Sequence, residues 1–283
     1  MHYKGNPFPV DDAMKAKILL LSVAITLAIT ACATTTSPTG RTQVVGAVSE
    51  AQLAELGAKA FAEAKAKTPQ SRDSRQTAYV RCVVTSIVRE LPTDWQRLGW
   101  DVALFEDRDA NAFALPGGKV GVYTGIFTVA RTQDQLAGVI AHEIGHVVSR
   151  HHNERITRQM GASGVLQILS GLAGSRYGEG VGNAVGQGGS VLAQTGLLLP
   201  GSRVQESEAD VVGQQLMAKA GYDPNGAVTL WQNMAAAGGA RQPEWLSTHP
   251  DPASRLRELQ QRADGLRPTM LAARNAGKIP RCQ

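Results

Sequence analysis

The sequence predicts an α+β fold that is mainly helical, with one small β-sheet beside a central apolar helix. Three features carry this. Apolar residues recur at helical spacing along most of the 283-residue chain, behind Ser or Thr starts and ahead of Gly or Pro stops. Between residues 100 and 123 the spacing drops to two, as in strands. No internal repeat and no linker divides residues 49–283, so this span reads as one domain long enough to bury a substantial core.

The N-terminal region reads differently. "MKAKILLLSVAITLAITAC" starts at Met14, with Lys15 and Lys17 ahead of an apolar run from Ile18 towards Ile29 and small residues before Cys32. A charged region, an apolar region and a small-residue zone mark a signal peptide over residues 1–31. Pro7, Pro9, Asp11 and Asp12 suit such a leader poorly, which points to Met14 as the start. The apolar run is short for a membrane-spanning helix and turns abruptly polar. "ITAC" resembles a bacterial lipobox, so Cys32 is expected to be lipidated, the alternative being an ordinary thiol in an uncleaved anchor. In that class, Ala33 in place of Asp implies the outer membrane. Residues 32–48, with the polar "ATTTSPTGRTQ", are then expected to form a flexible tether.

The domain follows in order. Ser49 starts a helix, "SEAQLAELGAKAFAEAKAK", that Pro69 closes. A second helix, roughly Arg72 to Glu90, places Tyr79, Val83, Ile87 and Leu91 on one face ahead of Pro92. "WDVALFED" alternates, "NAFALP" is short and extended, and "GGKVGVYTG" is a strand entered through Gly117-Gly118. Thr132 and Gln135 form a capping box for "QDQLAGVIAHEIGHVVSRHHNERI", with Val139, Ile140, Ile144 and Val147 on its buried face. The Gly-rich stretch 161–201 reads as a helical hairpin or lid, as a membrane contact, or as a loop filling an apolar groove. A helix from Val204 to Gly221, a shorter one after Pro224, and an amphipathic helix after "STHPDP" complete the chain.

Composition narrows the function. Hydrophobic residues make up 43% and charged residues 19%, with a formal charge of +5 and 5% aromatics. The basic residues are scattered, and neither a basic stripe nor an aromatic platform for nucleic acid is present. Cys82 and Cys282 are compatible with one disulfide between an early helix and the C-terminal tail, and two separate thiols fit as well.

Chemistry is concentrated in "GVIAHEIGHVVSRHH", which holds four of the six histidines. His142 and His146 stand four apart, on one helix face and about one turn apart. Two imidazoles so placed can grip one zinc ion, and Glu143 can reach a water on its open side. Zinc lowers the pKa of bound water and polarises a carbonyl, while the carboxylate takes the proton. Buried His and Glu need partners, and a metal supplies them. His151 and His152 lie beyond the apolar face, beside Arg150 at the helix end, and read as surface or outer-sphere residues. A catalytic zinc needs a third protein ligand. "ESEAD" offers Glu206, with Asp210 on the same face to hold a ligand histidine, while Glu208 points elsewhere.

"HEIGH" followed by "ESEAD" resembles the M48 metallopeptidases, a group that includes the CAAX prenyl protease and bacterial membrane quality-control proteases. Glu206 and Asp210 match that family's ExxxD helix. "NAFALPGGKVGVYTGIF" resembles its strand lining the substrate cleft, and "THPDPASR" resembles a downstream motif. The resemblance runs from about Trp100 to Arg255. It implies a zincin-like, gluzincin metalloprotease domain with one zinc ion on His142, His146 and Glu206. Glu143 would be the general base, with His249 and Arg255 aimed at the oxyanion. His249 is also placed to approach the metal in a resting state. A substrate strand would pair along an edge strand formed by Gly118, Lys119, Val120, Gly121, Val122 and Tyr123. With the lipobox, the resemblance points to a periplasmic lipoprotein on the inner leaflet of the outer membrane, cleaving unfolded or misassembled envelope proteins. The competing expectation is a catalytically silent, zinc-stabilised lipoprotein that binds envelope assembly partners. Glu143 argues against it, as does the four-ligand habit of structural zinc. A non-proteolytic zinc hydrolase is set aside by the resemblance alone.

Overall fold

The computed structural model describes residues 33–161, 201–237, 249 and 252–282. A hairpin of β1 (Ala33–Thr36) and β2 (Thr42–Val45) leads into α1 (Glu50–Lys67), α2 (Ser74–Val88) and a single turn, α3 (Thr93–Gln96). Strands β3 (Asp101–Phe105), β4 (Ala112–Leu115) and β5 (Lys119–Tyr123) follow, then a 3-10 turn at Thr124–Thr128 and α4 (Gln133–Val148). Helix α5 spans residues 151–161. Helices α6 (Arg203–Lys219), α7 (Asn225–Ala237) and α8 (Pro252–Asn275) complete the described chain. The mainly helical α+β expectation holds. No described helix is long and apolar enough to cross a membrane. The leader, Cys32 and residues 162–200 lie outside the described residues.

The starts obey local chemistry. Ser49, Thr132 and Ser202 each close a capping box with a glutamine three residues on, which satisfies donors a helix leaves unpaired. The final helix continues through Gly265 and Pro268 to Asn275. The "AHEIGHVVSRHHNERI" run is not one helix. Arg150 takes φ 54°, a left-handed cap at the end of α4, and the chain re-enters a helix at His151.

The three-stranded sheet has order β3-β5-β4, with β3 parallel and β4 antiparallel to β5. Its alternation sorts side chains between two cores. Val102, Leu104, Ala112, Ala114, Val120 and Val122 join α2, α4, α6 and α7, while Ala103, Phe105, Phe113 and Leu115 meet Leu53, Ala60 and Phe61 of α1. Both faces are covered, and aromatic edges meet at the second, with Phe61 6.2 Å from Phe105 and 6.3 Å from Phe113. Strand β5 is therefore central. The expectation that residues 118–123 form an edge strand is corrected: their ladder partners are taken on both sides, and β4, which lies against α4, is the edge on that flank.

Helices α4 and α6 pack closely because small residues line the contact. A Cβ on Gly145 would stand 2.9 Å from the Ala209 carbonyl oxygen, and one on Gly213 3.0 Å from the His142 nitrogen. Cys82 of α2 and Cys282 are joined by a disulfide, which resolves the pairing that the spacing leaves open.

The expected flexible tether is also corrected. Residues 33–45 form an antiparallel hairpin whose Ser37, Gln43 and Val45 are buried. Gln43 Nε2 donates to the Ser149 carbonyl at 2.6 Å, Gly46 N–H donates to Asn153 at 3.0 Å, and Arg41 meets both Glu154 oxygens at 2.8 Å. Polar residues that look like a linker in sequence here satisfy the backbone and carboxylates around the α4–α5 corner.

Two predictions follow from this packing. Gly213→Val should force α6 off α4 and cost about 1–3 kcal/mol by overpacking, read as a lowered melting temperature of the metal-free protein; an unchanged melt would mean the contact has slack. The second concerns acid. Burial opposes ionisation of Glu154, but hydrogen bonds from Arg41 and Gln205 overcome it and hold the carboxyl below its ordinary 4.5. A depressed folded value means the clamp's stability is fully present above about pH 4.5 and is lost as the pH falls below it. The melting-temperature gap between wild type and Arg41→Ala should therefore narrow in acid, and calorimetry at pH 7 and pH 3.5 would read it.

Candidate metal centre

Helix α4 is buried along nearly its whole length, including His142, Glu143 and His146. The 3.6-residue period stacks the two histidines, and their Nε2 atoms face each other at 3.1 Å. Helix α6 crosses at the glycine contact and brings Glu206 beneath them, its Oε2 3.4 Å from His142 Nε2 and its Oε1 3.4 Å from His146 Nε2. His249 arrives from the chain before α8. Donor atoms of His142, His146, Glu206 and His249 all lie within 4.8 Å of one another. His249 Nε2 is also 3.3 Å from Glu143 Oε1.

These donors fit a metal ion. Two apposed imidazole nitrogens at 3.1 Å require a proton or a cation between them. The buried Glu206 Oε1 accepts no hydrogen bond, and a buried orphan acceptor is costly unless a cation satisfies it. Burial keeps His146 neutral, well below its usual value. Burial would also discourage ionisation of Glu206, yet His146, His249 and His142 hold it well below the carboxylate range. Burial opposes a charge on His142, but hydrogen bonds to Asp210 and Glu206 raise it to about 9, so a cation at its Nε2 would take the place of a proton. Two imidazoles with a carboxylate form a donor set for zinc or a similar divalent ion.

The surroundings fix these groups. His142 Nδ1 lies 2.9 Å from Asp210 Oδ1. Arg255 clamps Asp210 through Nε to Oδ2 at 2.7 Å and Nη2 to Oδ1 at 2.8 Å, and its Nη1 donates to Glu206 Oε2 at 2.9 Å. The guanidinium lies over the Trp231 ring, 4.2 Å from its centroid. Burial alone would raise Asp210, but the Arg255 charge and hydrogen bonds reverse this and keep it ionised. The expectation for Arg255 is thereby corrected. Its donors are spent on Asp210 and Glu206, so in this arrangement it braces the ligand set and is not aimed at an oxyanion.

Of the two readings left open for His151 and His152, the surface one is corrected: both are buried, past the left-handed break at Arg150. Burial lowers each below its ordinary value. His151 Nδ1 contacts His146 Nδ1 at 2.8 Å, and its Nε2 contacts Glu208 Oε2 at 3.1 Å. Glu208 also takes the Arg41 Nε hydrogen bond at 2.8 Å and one from the Thr39 hydroxyl. Neither Arg41 nor Glu154 stands out in the sequence. The only local hint is that Glu208 shares the helix carrying Glu206 and Asp210. Arg155 is a further residue that the motifs do not single out. Burial lowers its guanidinium, and the Glu206 and Glu143 carboxylates pull the other way, so its charge acts on the cleft.

Fold and site together define a zincin-like domain, with a helix-borne pair of histidines met by a glutamate from a later helix. The chain belongs to peptidase family M48, whose model matches residues 74–263. It is 37% identical over 187 residues to the "Mitochondrial metalloendopeptidase OMA1" of Schizosaccharomyces pombe, covering 65% of this chain and 52% of that one. It is 28% identical over 248 residues to the "Beta-barrel assembly-enhancing protease" of Escherichia coli K12, covering 83% and 49%. It is 33% identical over 177 residues to the "Putative beta-barrel assembly-enhancing protease" of Vibrio cholerae, covering 60% and 36%. The chain thus spans about half or less of the length of these relatives.

Removing one half of the Asp210–Arg255 pair leaves a buried guanidinium short of its counter-charge. Asp210→Ala should cost the metal-free protein about 3–5 kcal/mol, measured by denaturant unfolding. A cost under about 1 kcal/mol, the range of exposed ion pairs, would show that the pair is not the brace described.

Proposed function

We propose that the chain is a zinc endopeptidase that hydrolyses unfolded or misassembled proteins of the bacterial envelope, held at the outer membrane through a lipid on Cys32. The observation that carries the peptidase reading is the position of Glu143. It is buried beside the four-donor cluster, one residue from His142 and within 3.3 Å of His249. A purely structural metal site has no use for a carboxylate there. The envelope reading is supported by the relatives named as β-barrel assembly-enhancing proteases and by the leader-like N-terminus; other relatives are mitochondrial by name.

Zinc, when bound by His142, His146 and Glu206, supplies a Lewis acid and lowers the pKa of water. The remaining work belongs to the chain. Glu143 takes the proton of the attacking water and delivers it to the leaving amine. His249 would lend that ion a fourth donor, and is placed to donate a hydrogen bond to the substrate oxygen that gains charge. Asp210 fixes the ring of His142, and Arg255 holds Asp210 and Glu206 in place. An extended substrate would add to the side of β4 that pairs with no strand among the described residues, using backbone hydrogen bonds that read little sequence. Such recognition suits unfolded chains.

Casein cleavage by the purified, zinc-loaded protein tests this, beside Glu143→Gln with its zinc content measured. The wild type should cleave, and the variant should bind zinc but lose about 10²–10⁴-fold in kcat/KM. Equal cleavage by both would remove Glu143 from the mechanism. Cleavage by neither would favour the silent, assembly-binding lipoprotein.

A further inference from the structure

We propose that His151, Glu208 and Arg41 form an outer sphere for His146, which makes the N-terminal β1–β2 hairpin a working part of the metal centre. This rests on the metal-centre reading above and extends it to residues outside the donor set.

Hydrogen-bond direction carries the inference. His146 offers Nε2 to the donor cluster, so its proton sits on Nδ1. That N–H can only donate, and the atom facing it is His151 Nδ1 at 2.8 Å. His151 must therefore accept there and carry its own proton on Nε2. From Nε2 it donates to Glu208 Oε2 at 3.1 Å. Glu208 accepts there, and it accepts as well from the Thr39 hydroxyl and from Arg41. Arg41 supplies the counter-charge, with Nε 2.8 Å and Nη2 2.7 Å from Glu208 Oε2. Every tautomer in the row is set by its neighbour, and no proton is left without an acceptor.

The row mirrors the arrangement at the other histidine. His142 donates to Asp210, and Asp210 is held by Arg255. His146 donates to His151, then to Glu208, which is held by Arg41. Each ligand histidine thus ends on a carboxylate capped by an arginine. The difference lies in origin. Arg255 comes from α8, whereas Arg41 comes from the turn of the hairpin, 167 residues before Glu208 in sequence. Arg41 also bridges to Glu154 on α5, the helix that carries His151. The hairpin therefore orients both the carboxylate and the helix bearing the intermediate histidine. Outer-sphere partners fix ring orientation and raise ligand basicity, and losing one commonly costs 10–100-fold in metal affinity. His151, Glu208 and Arg41 are positioning residues in this proposal, because none touches the reacting atoms.

Glutamine at position 151 supplies the discriminating variant. Its side-chain oxygen can accept from His146 while its amide donates to Glu208, so His151→Gln keeps the direction of the row. His151→Leu fills similar volume and breaks it. Zinc affinity of the full chain, by competition with a chromophoric chelator, should fall about 10–100-fold in His151→Leu and Arg41→Ala. It should return most of the way in His151→Gln. The visible absorption bands of the cobalt(II)-loaded protein should change in His151→Leu and revert in His151→Gln. Melting of the metal-free proteins reports any purely structural loss. Zinc affinity and cobalt bands that match wild type in His151→Leu and Arg41→Ala, whatever their melting temperatures, would overturn the proposal and leave the row as mere packing. If His151→Leu does not fold, Arg41→Ala carries the test from the half-exposed end of the row. His142→Ala separates the two readings. It should abolish the cobalt bands, and bands unchanged in it would mean that the metal-centre reading itself is wrong.

Discussion

The contact between α4 and α6 is the constraint on which the rest depends. His142 and His146 are on one helix, Glu206 and Asp210 on the other, and the groups meet only because the backbones approach at Gly145 and Gly213. A Cβ at either position would push the helices apart. A shift of about 1 Å is enough to disrupt a site built for ligation or catalysis. The sheet, the disulfide and the flanking helices act through this contact. Strand β4 lies against α4, and α7 and α8 close the far side over α6 and α4. Packing density in the core is what makes the donor positions definite, since close-packed interiors transmit small shifts and do not absorb them.

Charge is the second requirement, and it is met by pairing. The centre buries carboxylates at Glu206, Glu208 and Asp210. Left alone, each would protonate or unfold the site, because desolvating an anion costs several kcal/mol. Arginines enter where carboxylates are buried. Arg255 serves Asp210 and Glu206, and Arg41 serves Glu208 and Glu154. Arg suits both places because its planar donors can meet two oxygens at once. An orphan acceptor remains at Glu206 Oε1, and it points into the cluster where a cation would complete the balance.

What was legible in the sequence follows from the range of each interaction. Helix starts were legible because a capping box involves residues three apart, as at Thr132 and Gln135. The donors His142 and His146 were legible because one helical turn relates them, and Glu206 with Asp210 for the same reason. Three features were not. The hairpin at residues 33–45 looks like a linker, since its Thr, Gln and Arg side chains find partners more than a hundred residues away. The central place of β5 depends on β3 pairing in parallel, which alternation along one strand does not encode. The break at Arg150 comes from a single positive φ at an ordinary residue, where no Gly or Pro announces it. That break moves His151 and His152 from an apparent surface into the core.

The sequence separations in the site bear on how it comes together. His142 pairs with Asp210 across 68 residues, Arg255 with His142 across 113, and Arg41 with Glu208 across 167. Closing such loops costs entropy that grows only slowly with length, so distance in sequence is not itself the obstacle. The obstacle is that no local segment contains a complete set. Helix α4 alone holds two imidazoles without the Asp210 and Glu208 carboxylates that orient them, and α6 alone holds three buried carboxylates without Arg255 or Arg41. Each half is unfavourable to bury until the other halves and both arginines are present. Assembly is therefore cooperative at the centre. A chain that has not seated both the hairpin and α8 has an incomplete outer sphere, and its donors lack the orientation a metal needs.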